Sequence, residues 1–170
     1  MLVLRCTAKL LKEIGREPAD TAEVAQAEGL SVWFANLLRF DRHKCVLFTN
    51  EKTLFSFFVP DVKRERLRSL GDVFSEGLSE RIAFEGFGKY KEKFLADRNA
   101  IVIAKTNSRR VLGSMNDLAL MIEYHIRGYG GLENIDLRQL NWKLNRVIAG
   151  PIGNRYAIEA FEKELSRGSI

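Results

Sequence analysis

The residues best suited to chemistry lie between Lys105 and Asp117, in the run KTNSRRVLGSMND. Thr106, Asn107, Ser108, Arg109 and Arg110 form a basic, hydroxyl-rich turn, and Ser114, Asn116 and Asp117 follow where an apolar-periodic segment begins. Ser114 is placed to cap a helix, with Asp117 three residues on as in a capping box, although Glu or Gln is the usual partner. The first amides of a helix lack intrahelical acceptors and its dipole favours anions, so guanidinium groups beside such a start suit a phosphate or a carboxylate. Val111, Leu112 and Gly113 intervene, however, so Arg109 must fold back to join those amides. Plain capping is the competing reading.

A second set consists of polar residues embedded in apolar runs: Arg5, Asn36 and Arg39. An unpaired buried charge is costly, so each either reaches a rim, pairs internally, or lines a polar pocket across a sheet. Trp33 offers a ring on which a base could stack. Side chains alternate along a strand, which puts Trp33 and Arg39 on one face and Asn36 on the other.

Other candidates are weaker. His43 belongs with Asp41, Arg42 and Lys44 in a charged turn. Asp41 and Glu51 sit in turns at opposite ends of one strand, roughly 20 Å apart at about 3.4 Å per residue, and so form no catalytic pair. His125 has no carboxylate at metal-ligand spacing, and no metal site is expected. There is no GxSxG elbow, GxxxxGK[ST] loop or GxGxxG fingerprint after a strand, and no cofactor is implied. EGFGKY reads as a hinge between helical runs. Cys6 and Cys45 each lie in an apolar run and read as buried thiols.

The elements that must position these groups follow from periodicity. Leu2 to Cys6 reads as a strand; Thr7 starts a helix through Ile14, ended by Gly15; residues 16 to 30 read as a surface loop or marginal helix. Three apolar runs, Val32 to Phe40, Lys44 to Thr49 and Thr53 to Val59, are joined by the short connectors DRH and NEK. Such connectors can join only antiparallel neighbours, which predicts a three-stranded meander. Both its faces are apolar, so helices should cover both sides. Val62 to Phe94 has helical spacing with a break near Gly86 and Gly88, and Ile101 to Ala104 reads as a last strand. The helix after Ser114 carries Leu118, Met121, Ile122 and Ile126, and two further helices carry Leu137, Leu140 and Leu144, then Ile158, Phe161 and Leu165. The expected fold is α+β, a mostly antiparallel sheet of about five strands with a central meander, covered by helices.

At 170 residues and 46% hydrophobic, the chain should form one domain, 1–170, with one proper core. No window approaches the roughly 20 apolar residues of a membrane span, and charges interrupt the N-terminus, so a cytoplasmic protein without membrane association is expected. Net charge is +5, and its surplus sits mid-chain, where residues 61–110 carry 12 basic and 8 acidic groups. A positive middle can attract phosphates, although exposed Lys and Arg are often only a solvated face.

The strings MLVLRCTAKLLKEIG, WFANLLRFDRHKCVLFTNEKTLFSFFVP, KTNSRRVLGSMNDLA and LNRVIAGPIG together resemble an uncharacterised bacterial family carried under a domain-of-unknown-function label. The resemblance implies a stand-alone bacterial domain and brings no established activity, cofactor or catalytic residue. Function is therefore read from residue type. The first expectation is binding of a phosphate-bearing ligand (RNA, DNA or nucleotide) through the basic turn and helix start. A second is a protein-interaction component of a mobile-element, toxin-antitoxin or defence system, anchored by aromatic residues such as Tyr129 and Trp142. A third is an enzyme acting on a nucleotide or phosphoester, with Arg109 clamping the anion, Asp117 or His125 as acid or base and Asn116 orienting substrate.

Overall fold

The turn at Asp41 and Arg42 sets the frame of the molecule. Both residues take positive φ, 48° and 66°, as a two-residue hairpin between right-twisted strands requires. The computed structural model describes residues 1–92 and 101–168. Its strands are β1 (Leu2–Cys6), β2 (Val32–Phe40), β3 (His43–Asn50), β4 (Ser56–Val59) and β5 (Ile101–Lys105), with a small hairpin of β6 (Ile148–Ala149) and β7 (Arg155–Tyr156). Its helices are α1 (Ala8–Ile14), α2 (Arg64–Arg68), α3 (Leu70–Phe84), α4 (Arg109–Gly128), α5 (Leu137–Leu144) and α6 (Ala157–Arg167). The fold is α+β, and the meander β2–β3–β4 forms as its short connectors demand.

The main sheet has the order β4-β3-β2-β1-β5. β1 lies parallel to both β2 and β5, so the sheet is mixed rather than mostly antiparallel. Long crossovers make this possible: α1 and the following loop separate β1 from β2, and the α2–α3 segment separates β4 from β5. The third meander strand starts at Ser56 rather than Thr53. Asn50 is the cause: its Oδ1 accepts the Lys52 and Thr53 amides (3.2 and 3.0 Å) and its Nδ2 donates to the Gly29 and Val32 carbonyls. The loop is thereby held off the ladder.

Helices cover both faces. On one, Leu10, Leu67, Phe74 and Leu78 pack against Leu4, Trp33, Phe48 and Phe57. On the other, Val111, Met115, Ile122 and Leu140 of α4 and α5 cover Val32, Phe34, Leu47 and Phe58. Residues 16–28 are loop with turns over 21–26, Gly29–Ser31 forms a short 3-10 helix, and Val24 is buried against Val3 and Ala104. The 62–94 segment breaks earlier than its glycines suggest, at Ser69, and again after Phe84, where Gly86 takes φ 83°. Phe94, expected in the second helix, lies outside the described residues. Among the described residues no helix is long and apolar enough to cross a membrane.

Gly77 of α3 is fixed by close approach. A Cβ there would stand 2.7 Å from Cε2 of Phe57, whose ring is held against Phe48 at 4.9 Å between centroids. Gly77→Ala is expected to destabilise by about 1–2 kcal/mol, overpacking outweighing the better helix propensity of alanine. A urea midpoint equal to or above wild type would contradict this.

Candidate functional site

Two short helices gather several exposed cations on one surface. In α1, Leu10 and Ile14 are buried, which turns Lys9 and Lys12 outward; Gly15 ends the helix in the left-handed region and Arg16 follows, exposed. In α2 only Leu67 is buried, so Arg64 and Arg68, one turn apart, both reach solvent. The helices pack together, and the end of β2 adds Arg39. A recess of about 470 Å³ is lined by Lys9, Lys12, Glu13, Leu37, Arg39 and Arg64. A second recess of about 220 Å³ holds Arg16 and Arg68 beside Ser69, Gly71 and Asp72 at the start of α3.

Glu13 is the one carboxylate lining the first recess, and it is already engaged. It accepts a hydrogen bond from Lys44 and has Arg39 Nη2 at 3.6 Å. The Lys44 hydrogen bond, with the charges of Lys44, Arg39 and Arg64, holds its carboxyl below the ordinary glutamate value. Among the described residues, Lys9, Lys12, Arg16, Arg64 and Arg68 have no carboxylate in ion-pair contact. Their charge is open to an external anion.

The residues expected from sequence do not gather there, Arg39 excepted. Arg5 is buried in β1, on the face opposite α1; its Nη1 donates to the Lys105 carbonyl (3.2 Å) and its Nε finds no acceptor. Asn36 is buried on that same face, where its Oδ1 accepts from the Thr7 hydroxyl (3.1 Å). Trp33 is no stacking platform, because it is 0% exposed, ringed by Phe55, Phe57, Phe74 and Phe161, with Nε1 donating to the Leu30 carbonyl at 2.8 Å.

The basic turn also differs from expectation. Helix α4 begins at Arg109, and its cap is Ser108, whose hydroxyl accepts the Val111 amide (3.4 Å). Ser114 is inside the helix, bonded back to the Arg110 carbonyl, so it caps nothing, and Asp117 cannot complete a capping box. The physical reason is the buried stripe, which starts at Val111 and Met115 rather than Leu118. Thr106 and Asn107 precede the helix; Arg109, Asn116 and Asp117 are exposed. Arg110 Nη2 donates to the Glu51 carbonyl (2.5 Å).

A cleft of about 980 Å³ does touch this helix start, with Glu28, Glu51, Lys52, Ser108 and Arg110 in its lining. Lys52 is paired with Glu164 (2.8 Å), Arg110 donates one hydrogen bond to the Glu51 carbonyl, and two carboxylates face the cleft. It is not an electropositive recess. Nor do the proposed acid, base and clamp converge: Arg109, Asp117 and His125 follow one another at eight-residue intervals along α4, about 12 Å each at 1.5 Å per residue. The enzyme reading needs Arg109 with either Asp117 or His125 at one reacting atom; along the axis these lie about 12 and about 24 Å from Arg109. His125 instead lies against the Tyr129 ring, tilted by 34° with centroids 4.7 Å apart, and burial lowers its pKa from the ordinary value, with Lys143 adding to the effect and Asp136 opposing it. Among the described residues no group of three or more His, Cys, Asp or Glu could hold a metal.

Sequence reasoning missed Lys9, Lys12, Arg16, Arg64 and Arg68. Their signal was present as i, i+3 and i, i+4 spacing opposite buried leucines, but over 40 residues separate the two sets.

A family model described as "Domain of unknown function (DUF6933)" matches residues 3–160. No curated protein and no solved structure matches the chain.

Proposed function

We propose that this chain, which belongs to the DUF6933 family, binds the phosphate backbone of RNA or DNA along the basic face of α1 and α2. The observation that carries the reading is the pair of recesses in which, among the described residues, Lys9, Lys12, Arg39, Arg64, Arg16 and Arg68 are met by the carboxylates of Glu13 and Asp72, the first already neutralised by Lys44. Phosphate contacts supply affinity without reading sequence. With Trp33 buried and no aromatic ring among the described residues that line either recess, the reading is of binding that is non-specific in sequence. Two free buried thiols, Cys6 and Cys45, suit the reducing bacterial cytoplasm to which we assign it.

Fluorescence anisotropy with labelled single-stranded and duplex probes tests this. Binding is expected near 50 mM salt and should weaken steeply as salt rises, with a log–log slope of about −3 to −5 if some five phosphates are neutralised. The Lys12→Glu/Arg64→Glu variant should lose more than about tenfold in affinity and flatten that slope. The Arg109→Glu/Arg110→Glu variant is expected to stay within about twofold of wild type. Absence of binding at low salt, or a loss confined to the second variant, overturns the assignment.

A further inference from the structure

Arg81 stands apart from that face, on α3, and its surroundings are unusual for a cation. The residue is 4% exposed, yet it has no carboxylate in ion-pair contact. Its one hydrogen bond runs from Nη1 to the Arg138 carbonyl at 3.4 Å, and its Cζ lies 4.4 Å over the Phe84 ring. A guanidinium carries five N–H donors, so most of its bonding capacity is unused. The natural i, i+4 partner, Glu85, has been diverted: Arg146 holds its two oxygens at 3.1 and 2.6 Å. A buried cation left in this way is costly unless something outside the chain completes it.

The guanidinium lines a cavity of about 600 Å³ between α3, α5 and β4. Phe57, Val59, Val73, Phe84 and Leu137 supply apolar walls. Three cations, Arg66, Arg81 and Arg138, line it against two carboxylates, Glu76 and Glu80, and Arg66 already neutralises Glu76. Burial, with the charges of Arg146 and Arg138, lowers the Arg81 pKa, and the charges of Glu85 and Glu80 oppose the shift. A peptide strand cannot dock here by extending the sheet: Asn141 takes both the N–H and the C=O of Phe58 (2.7 and 3.2 Å), and Pro60, the next outward position, has no N–H.

We propose that this cavity is a small-molecule site for an organic monocarboxylate with an apolar body, its carboxylate held by Arg81 and its hydrocarbon against Phe84, Leu137 and Val59. An arginine that orients the carboxylate beside apolar walls that supply contact area is the usual division of labour in such sites. A planar guanidinium matches a carboxylate in two parallel hydrogen bonds.

The test is titration of the intact chain with octanoate and phenylacetate, followed by calorimetry and by amide NMR signals of Gly77 and Leu137, with inorganic phosphate as the charge-only probe. Saturable octanoate binding is expected with a dissociation constant on the order of 1 mM or tighter, and phosphate should not compete. Arg81→Met should weaken octanoate about tenfold or more while melting no lower than wild type, since an apolar side chain replaces an uncompensated cation. Arg81→Lys keeps the charge without the fork and should fall between the two. Lys12→Glu/Arg64→Glu should bind octanoate as wild type does, which separates this site from the nucleic-acid face. Unsaturable binding, equal affinity in both Arg81 variants and wild type, or a lower melting temperature for Arg81→Met would overturn the proposal.

Discussion

Replacing Arg146 by methionine is expected to cost about 3–5 kcal/mol of stability, because it strands a carboxylate that the fold has already taken out of water. The Glu85 side chain is 3% exposed, and Arg146 supplies both of its strong hydrogen bonds. The guanidinium is fixed in turn by the Trp142 carbonyl at 3.1 Å and by the Trp142 ring at 4.4 Å. The pair therefore ties the end of α3 to the end of α5. Chemical unfolding should show a lower urea midpoint at unchanged slope, and the melting temperature should drop by roughly 10 °C or more. Glu85→Gln in the same background removes the stranded charge and should restore more than half of the loss, the coupling expected of residues in direct contact. A single-variant cost below about 1 kcal/mol would show instead that water reaches Glu85 freely.

Asn145→Leu is the second large effect, at about 2–4 kcal/mol. Asn145 is 0% exposed; its Oδ1 accepts the Ser56 amide at 2.7 Å, and its Nδ2 donates to the Ser56 carbonyl at 2.8 Å and the Asn141 carbonyl at 3.1 Å. Asn141 does the same for Phe58 one turn earlier. Four residues along a helix rise about 6 Å, close to the roughly 6.8 Å between alternate strand residues. The two amides therefore meet consecutive outward positions of β4, the edge strand, as a neighbouring strand would. Leucine fills similar space but leaves a buried donor and acceptors unsatisfied, each costing about 1–3 kcal/mol. Unfolding would report the loss, and size-exclusion chromatography a tendency to self-associate as the edge is uncovered. Wild-type stability and monodispersity together would refute the capping role.

These amides also show what the chain reveals before it folds. Nothing in the sequence marks Asn141 and Asn145, which lie among Leu137, Leu140 and Leu144, as sheet partners. Ser108 carried a local signal that was there to read: the buried stripe of α4 begins three residues later, at Val111, and counting it from Leu118 put the cap at Ser114. Trp33 and Arg39 share a face as alternation requires, but alternation does not say that α3 and α6 seal one end of that face while the other stays open around Arg39. The segment reasoning that favoured residues 61–110 pointed toward Arg64 and Arg68. It could not bring Lys9, Lys12 and Arg16 beside them.

Sequence alone determined what depends on near neighbours: the meander, because two or three polar residues can only reverse a strand; α1 with its glycine stop; and the apolar stripes that turn Leu10, Leu67 and Leu118 inward. Tertiary structure decided the parallel docking of β1 between β2 and β5, the diversion of Glu85 from Arg81 to Arg146, and the meeting of α1 with α2. The division has one physical cause. Periodicity and turn geometry act over a few residues, whereas crossovers and ion pairs are settled by packing between segments whose separation along the chain carries no trace of their distance in space.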